Sequence, residues 1–238
     1  TVNGTLTTSS YVNGNTFNVG SSGILNTSFT GVNQTEGWWY QTARPTGGTL
    51  NASSTVNFNA ASGQNVYARS YGNLSLSGDG TITKTVVGSG SLNISGNLTF
   101  GNSGITLSST LPVAFDGSAA QAISGGGTAN FNGGLEVNKS AGTLSLSQNI
   151  TIQAGLTVTA GTLDASNRTI TLSGNLTNTG TISFGAGATL GTLVISGTTS
   201  VGGSSTTSLG HLTVNASQSF SSSGTVNIAG NITNSGSI

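Results

Sequence analysis

This chain of 238 residues has no cysteine and no methionine, only two prolines, and a single histidine. Without cysteine there is neither a disulfide framework nor a thiolate metal site, and one histidine leaves too few nitrogen ligands for zinc. Charge is almost as scarce. Asp, Glu, Lys and Arg make up 4% of the chain, with five residues of each sign and a net charge of zero, against about 25% in an ordinary globular domain. The cations Arg44, Arg69, Lys84, Lys139 and Arg168 are scattered singly, whereas nucleic-acid binding needs several phosphate-neutralising side chains together. No apolar run approaches the roughly 20 residues of a membrane-spanning helix, and the alternating segments of about 9–11 residues found in membrane barrels are missing too. Neither a nucleic-acid partner nor membrane insertion is expected.

What remains is small and polar. Glycine contributes 38 residues, and Thr, Ser and Asn dominate most of the rest. Such a composition raises the prospect of disorder, but disordered segments combine low hydrophobicity with high net charge. Here hydrophobic residues reach 34% and alternate regularly with Thr and Ser, a pattern suited to a pleated, half-buried surface. An ordered chain is expected.

The order shows as a short period. From Gly142 to Gly185, Leu144, Ile150, Leu156, Leu163, Ile170, Leu176 and Ile182 follow one another at steps of 6, 6, 7, 7, 6 and 6. Each lies in a three- or four-residue alternation such as Leu-Thr-Val, and Gly, Asn or Ala-Gly falls at nearly every break. Three steps carry Leu144 to Leu163, Ile150 to Ile170 and Leu156 to Leu176. A period of this size with such short strands marks a chain that coils on itself. The pattern predicts an all-β parallel β-solenoid with triangular coils of about 19–20 residues. About a dozen coils at strand spacing would give a rod of roughly 50–60 Å.

A slower repeat overlies the fast one. Val56 opens a V-x-F strand, followed by Gln64 and the strand GNLSL from Gly72; Val113 opens another, followed by Gln121 and GGLEV from Gly133. A weaker third copy begins near 193, where Gly210, Leu212 and Val214 match Gly72, Leu74 and Leu76. The intervals from Leu74 to Leu135 and from Leu135 to Leu212 suggest a long unit of about three or four coils. The chain is thus expected to divide into residues 1–55, short strands with an irregular loop at 31–48, and an irregular solenoid over 56–238 with long units starting near 56, 113 and 193. It begins and stops in mid-pattern and is read as a piece of a longer chain.

The runs AAQAISGGGTANFNGGLEVNKSAGTLSLSQNITI and LDASNRTITLSGNLTNTGTISFG resemble repeats of very large bacterial surface proteins. One such group is the giant repetitive surface and attachment proteins of Bacteroidota-type bacteria. The other is the filamentous-haemagglutinin-like adhesins of two-partner secretion, with similar GNLTNTGTI stretches. The resemblance covers most of the chain from about Val56 onward. It implies an extracellular, cell-surface β-helical shaft, although the secretion and sorting domains of those groups are not seen in this sequence.

The loop GVNQTEGWWYQTARPTGG departs from the pattern. It holds Trp38, Trp39 and Tyr40, with Glu36 and Arg44 nearby and Pro45 behind. The favoured reading is that these rings cap or flank the solenoid and cover an otherwise open apolar end. The alternatives are a subunit contact, since Trp and Tyr concentrate binding energy at interfaces, and stacking on a surface glycan.

No catalytic constellation stands out. The acids Glu36, Asp79, Asp116, Glu136 and Asp164 are far apart in sequence. Asp116 and Glu136 lie about one coil apart, and stacking would set them roughly 4.8 Å apart, near the separation in retaining glycosidases. Asp116, however, falls at a turn after a strand and Glu136 within one, so convergence is not expected. His211 has no Ser-His-Asp partners and should face outward from a strand. Asp-rich calcium turns are absent, and no metal or other cofactor is expected.

Flat threonine ladders on a solenoid can bind ice. Thr5–Thr7, Thr81–Thr83, Thr157–Thr159 and Thr169–Thr171 supply T-x-T triplets, but recognition requires them in register on one face, and Thr157 and Thr169 are two faces apart. The many N-x-S/T triplets are read chiefly as corner asparagines able to form hydrogen-bonded ladders and to tolerate left-handed backbone. The preferred reading is a non-enzymatic rod segment of a secreted bacterial adhesin or fibre, continued in a longer chain or self-associating into filaments. A polysaccharide-binding or polysaccharide-cleaving β-helix and an ice-binding solenoid are the alternatives.

Overall fold

Short alternating segments separated by Gly and Asn cannot bury both faces of a sheet unless the chain returns over itself, and here it does. The computed structural model describes residues 1, 3–8, 18–28 and 50–238. They form a parallel β-solenoid of about nine turns, and every pairing between its strands is parallel. The Trp38, Trp39 and Tyr40 loop, with Glu36 and Arg44, lies outside the described residues.

Each full coil contributes one strand to each of three rows. The first row takes Thr55–Phe58, Asn73–Leu76, Leu98–Phe100 and Gln121–Ser124. The second is a nine-stranded sheet running from Gln64–Tyr67 through Ile150–Ile152 to Ile232–Asn234. The third takes Leu92–Ile94, Val113–Phe115 and Asn175–Asn178. The long strands Leu135–Leu146 and Gly155–Asp164 serve the third row with their first half and the first row with their second, which merges these rows into one 15-stranded sheet. Register shifts beside Asn138 mark the bend where they cross.

The short period of the sequence is the coil itself. Leu144 pairs with Leu163, Ile150 with Ile170 and Leu156 with Leu176, so like apolar side chains stack in columns. One core runs the length of the rod, with Leu74, Leu98, Phe115, Phe131, Leu163 and Leu193 all buried. Because each coil's apolar face is covered by the coils on either side, stability is a sum of neighbour contacts rather than of one compact centre. Coil lengths vary more than the fast period suggests. Leu25 pairs with Val56 and Leu176 with Val201, each across a longer stretch of chain than separates Leu144 from Leu163. Loops absorb the difference, so the rod has about nine turns instead of a dozen and is roughly 40 Å long at strand spacing.

The slower repeat also has a structural meaning, different from the one expected. Val56 stacks on Leu74, Val113 on Leu135 and Leu193 on Leu212, so in each copy the leading strand and the Gly-x-Leu strand after it are neighbours one coil apart. The three copies, however, fall on the first, third and second rows respectively. Their spacings are therefore not whole numbers of coils, and the three-to-four-coil unit does not exist as a repeated face.

Candidate functional site

The side chains with the most unusual chemistry are two lysines inside the rod. In Ile82–Val87 the alternation turns residues 82, 84 and 86 inward, and residue 84 is a lysine stacked between Gln64 and Leu107 in the core column. Lys139 is turned inward in the same way, next to the bend of Leu135–Leu146. Both are fully buried. A buried cation is tolerated only when its donors are met.

The two nodes share one wiring. Gln64 Oε1 accepts the backbone N–H of Ala60, and Gln121 Oε1 that of Gly117, in each case four residues earlier. Lys84 Nζ donates to Gln64 Oε1 at 2.9 Å and to the Ala60 carbonyl at 3.0 Å. Lys139 Nζ donates to Gln121 Oε1 and to the carbonyls of Gly117 and Ala119, both at 2.8 Å. The Nε2 of each glutamine reaches back into the preceding coil, from Gln64 to the Thr27 carbonyl and from Gln121 to those of Ile94 and Gly96. Each node therefore ties the loop after a V-x-F strand to the coils before and after it. Burial pushes Lys84 down to about 8. Lys139 is lowered for the same reason, opposed by the charge of Asp116. The glutamines were visible in the sequence as a repeat. The lysines were not, although each follows its glutamine by about one coil.

The other polar residues hold backbone. His211 opens the strand His211–Val214, half-exposed, and its Nδ1 accepts the N–H of Asn231 in the next coil at 3.0 Å. Asn149, at the equivalent place three coils earlier, accepts the N–H of Thr169 through Oδ1 at 2.8 Å. Asn73, Asn97 and Asn175 do the same for Asn97, Ala122 and Ser200. The expected asparagine ladder is present as well, with Asn57 Nδ2 donating to Asn26 Oδ1 at 3.3 Å. Left-handed backbone is not the reason for these asparagines: among the described non-glycine residues only Asn167 and Ser217 have positive φ.

The four acids among the described residues do not gather. Glu136 pairs in register with Ala114, not with Asp116, and accepts a hydrogen bond from Thr159 Oγ1 at 3.2 Å. Asp116 and Asp79 are exposed. Asp164 turns back on its own loop, accepting the N–H of Ser166 at 3.0 Å. Among the described residues no three His, Cys, Asp or Glu side chains lie close enough to share a metal ion. No helix among the described residues is long and apolar enough to cross a membrane.

The fold places this chain in the class of parallel β-solenoids. No family model, curated protein or solved structure matches it.

Proposed function

We propose that this chain is a non-catalytic shaft segment of a secreted bacterial surface adhesin or extracellular fibre. The observation that carries this reading is the unbroken parallel register of the nine-stranded sheet, in which eight successive pairings keep residue over residue. Axial tension on such a shaft is shared by a ladder of backbone hydrogen bonds at every coil boundary. Each buried Lys–Gln node adds ties at two of those boundaries, to the coil before and to the coil after it. The resemblance of most of the chain from about Val56 onward to bacterial surface repeats supports a cell-surface setting, and the low charge leaves little repulsion between neighbouring shafts. The shaft continues in a longer chain or in further copies of itself.

Electron microscopy of material from the native source, with a mass measurement, tests this. Thin rods on a much heavier chain, or filaments whose axial repeat equals the length of this segment, are the expected outcomes. A freely diffusing particle of this chain's own mass and length would overturn the proposal.

A further inference from the structure

The outward side of the nine-stranded sheet has a regularity that a spacer does not need. Thr83, Thr106 and Thr128 stand over one another in three successive coils, and Thr169 and Thr192 continue the column further along. Two residues across each strand runs a second column. It contains Thr85, the stacked pair Thr151 and Thr171, and the stacked pair Thr213 and Thr233. The columns are interrupted by Asn149 and His211 in the first and by Asn65, Ser108, Asn130 and Val194 in the second. Strand spacing and pleat set the grid at about 4.8 Å along the rod and about 6.6 Å across it.

Three observations separate this face from the others. Its eight pairings carry no register shift, whereas the 15-stranded sheet shifts at Val137/Asn138 and Asn138/Thr143. Variation in coil length is thus kept out of the grid. The face also carries no formal charge, because the one cation in its strands, Lys84, is turned into the core. The corresponding outward column of the third row is mixed, running Asn93, Ala114, Glu136, Thr157 and Thr177. Threonine is moreover stiff at χ1, so each position presents one methyl and one hydroxyl in a fixed place. Charged side chains would hold their own hydration shells, whereas a flat grid of methyls and hydroxyls orders water on the repeat of the grid.

We propose that the outward face of the nine-stranded sheet binds ice, with its two threonine columns matching the repeat of the crystal surface. This goes beyond the shaft reading and is independent of it. As part of a surface fibre, such a face would hold the cell to frozen water.

The test is enrichment of the purified chain in a slowly grown ice hemisphere, together with thermal hysteresis, against a non-binding protein of similar size. The wild type is expected to enrich in ice. Thr171→Tyr and Thr151→Tyr are each expected to lower enrichment by about tenfold, because one bulky ring holds a flat face off its ligand. Thr177→Tyr on the third row is expected to leave it unchanged. An unfolding midpoint for each variant shows that it folds, and Thr213→Tyr near the far end of the second column replaces any that does not. Wild type no more enriched than the control protein overturns the proposal. So does equal loss in Thr177→Tyr and Thr171→Tyr, or retention on crystalline polysaccharide without ice enrichment. None of these outcomes bears on the shaft reading.

Discussion

Lys84 Nζ donates to Gln64 Oε1 at 2.9 Å across one turn of the solenoid, and both side chains are buried. The glutamine is the harder of the two to lose. Gln64→Leu leaves Lys84 with the Ala60 carbonyl alone, and also leaves the Ala60 N–H and the Thr27 carbonyl without this partner. Lys84→Met removes the charge together with its desolvation cost and leaves Gln64 Oε1 still bonded to the Ala60 N–H. Chemical denaturation should show Gln64→Leu costing about 3–5 kcal/mol and Lys84→Met about 1–3 kcal/mol. Equal costs would mean that the lysine is not held by the glutamine.

Stability should rise on the alkaline side. Burial brings Lys84 from 10.5 to about 8, and Lys139 is lowered in the same direction. Between the folded and unfolded values the unfolded chain holds more protons, so stability climbs as pH rises through 8. Tyr71 acts in the opposite sense above pH 10, because burial raises its phenol and the unfolded chain ionises first. Unfolding midpoints measured from pH 7 to 10 should therefore increase, and Lys84→Met should flatten the increase.

The core column tests the coil assignment directly. Leu163 is fully buried between its register partners Leu144 and Ile182. Leu163→Ala should cost about 2–5 kcal/mol, whereas Thr157→Ser, on an outward position, should stay within about 0.5 kcal/mol. Thermal melts of the two variants distinguish these outcomes.

Close stacking leaves some glycines no room. A Cβ at Gly174 would lie 1.5 Å from the Ala154 carbonyl oxygen of the coil before, so Gly174→Ala must move backbone. Gly126 has φ +82 but nothing within 4 Å of such an atom. Its alanine variant should cost only the left-handed penalty of about 1–2 kcal/mol, and Gly174→Ala should cost more or prevent folding. Expression and melting of both settle the order.

His211 fills the place that Asn149 fills three coils earlier, accepting a backbone N–H from the next coil. His211→Asn should change stability by less than about 0.5 kcal/mol, and His211→Ala should lose about 1 kcal/mol. A large loss in the asparagine variant would point to a further role for the imidazole.

Much of this was legible in the residues themselves. The steps between Leu144 and Ile182 are the coil, and the three pairs expected one coil apart are pairs in the structure. Strand alternation has period two and each coil repeats the last, so a linear pattern of apolar residues translates almost directly into stacked columns.

The tertiary structure decided which residues meet across coils of unequal length. Loops shift the phase of each coil by amounts that no local signal records, so the three copies of the slower repeat landed on three different rows. For the same reason, threonines scattered through the sequence fell into two columns on one sheet, while Thr157 was left on another. Lys84 and Lys139 read in the sequence only as scattered single cations. Only the stacking showed that each is turned inward onto a glutamine about one coil behind, because whether a side chain points into the rod depends on strand phase, and what it meets there depends on the length of the coil before it.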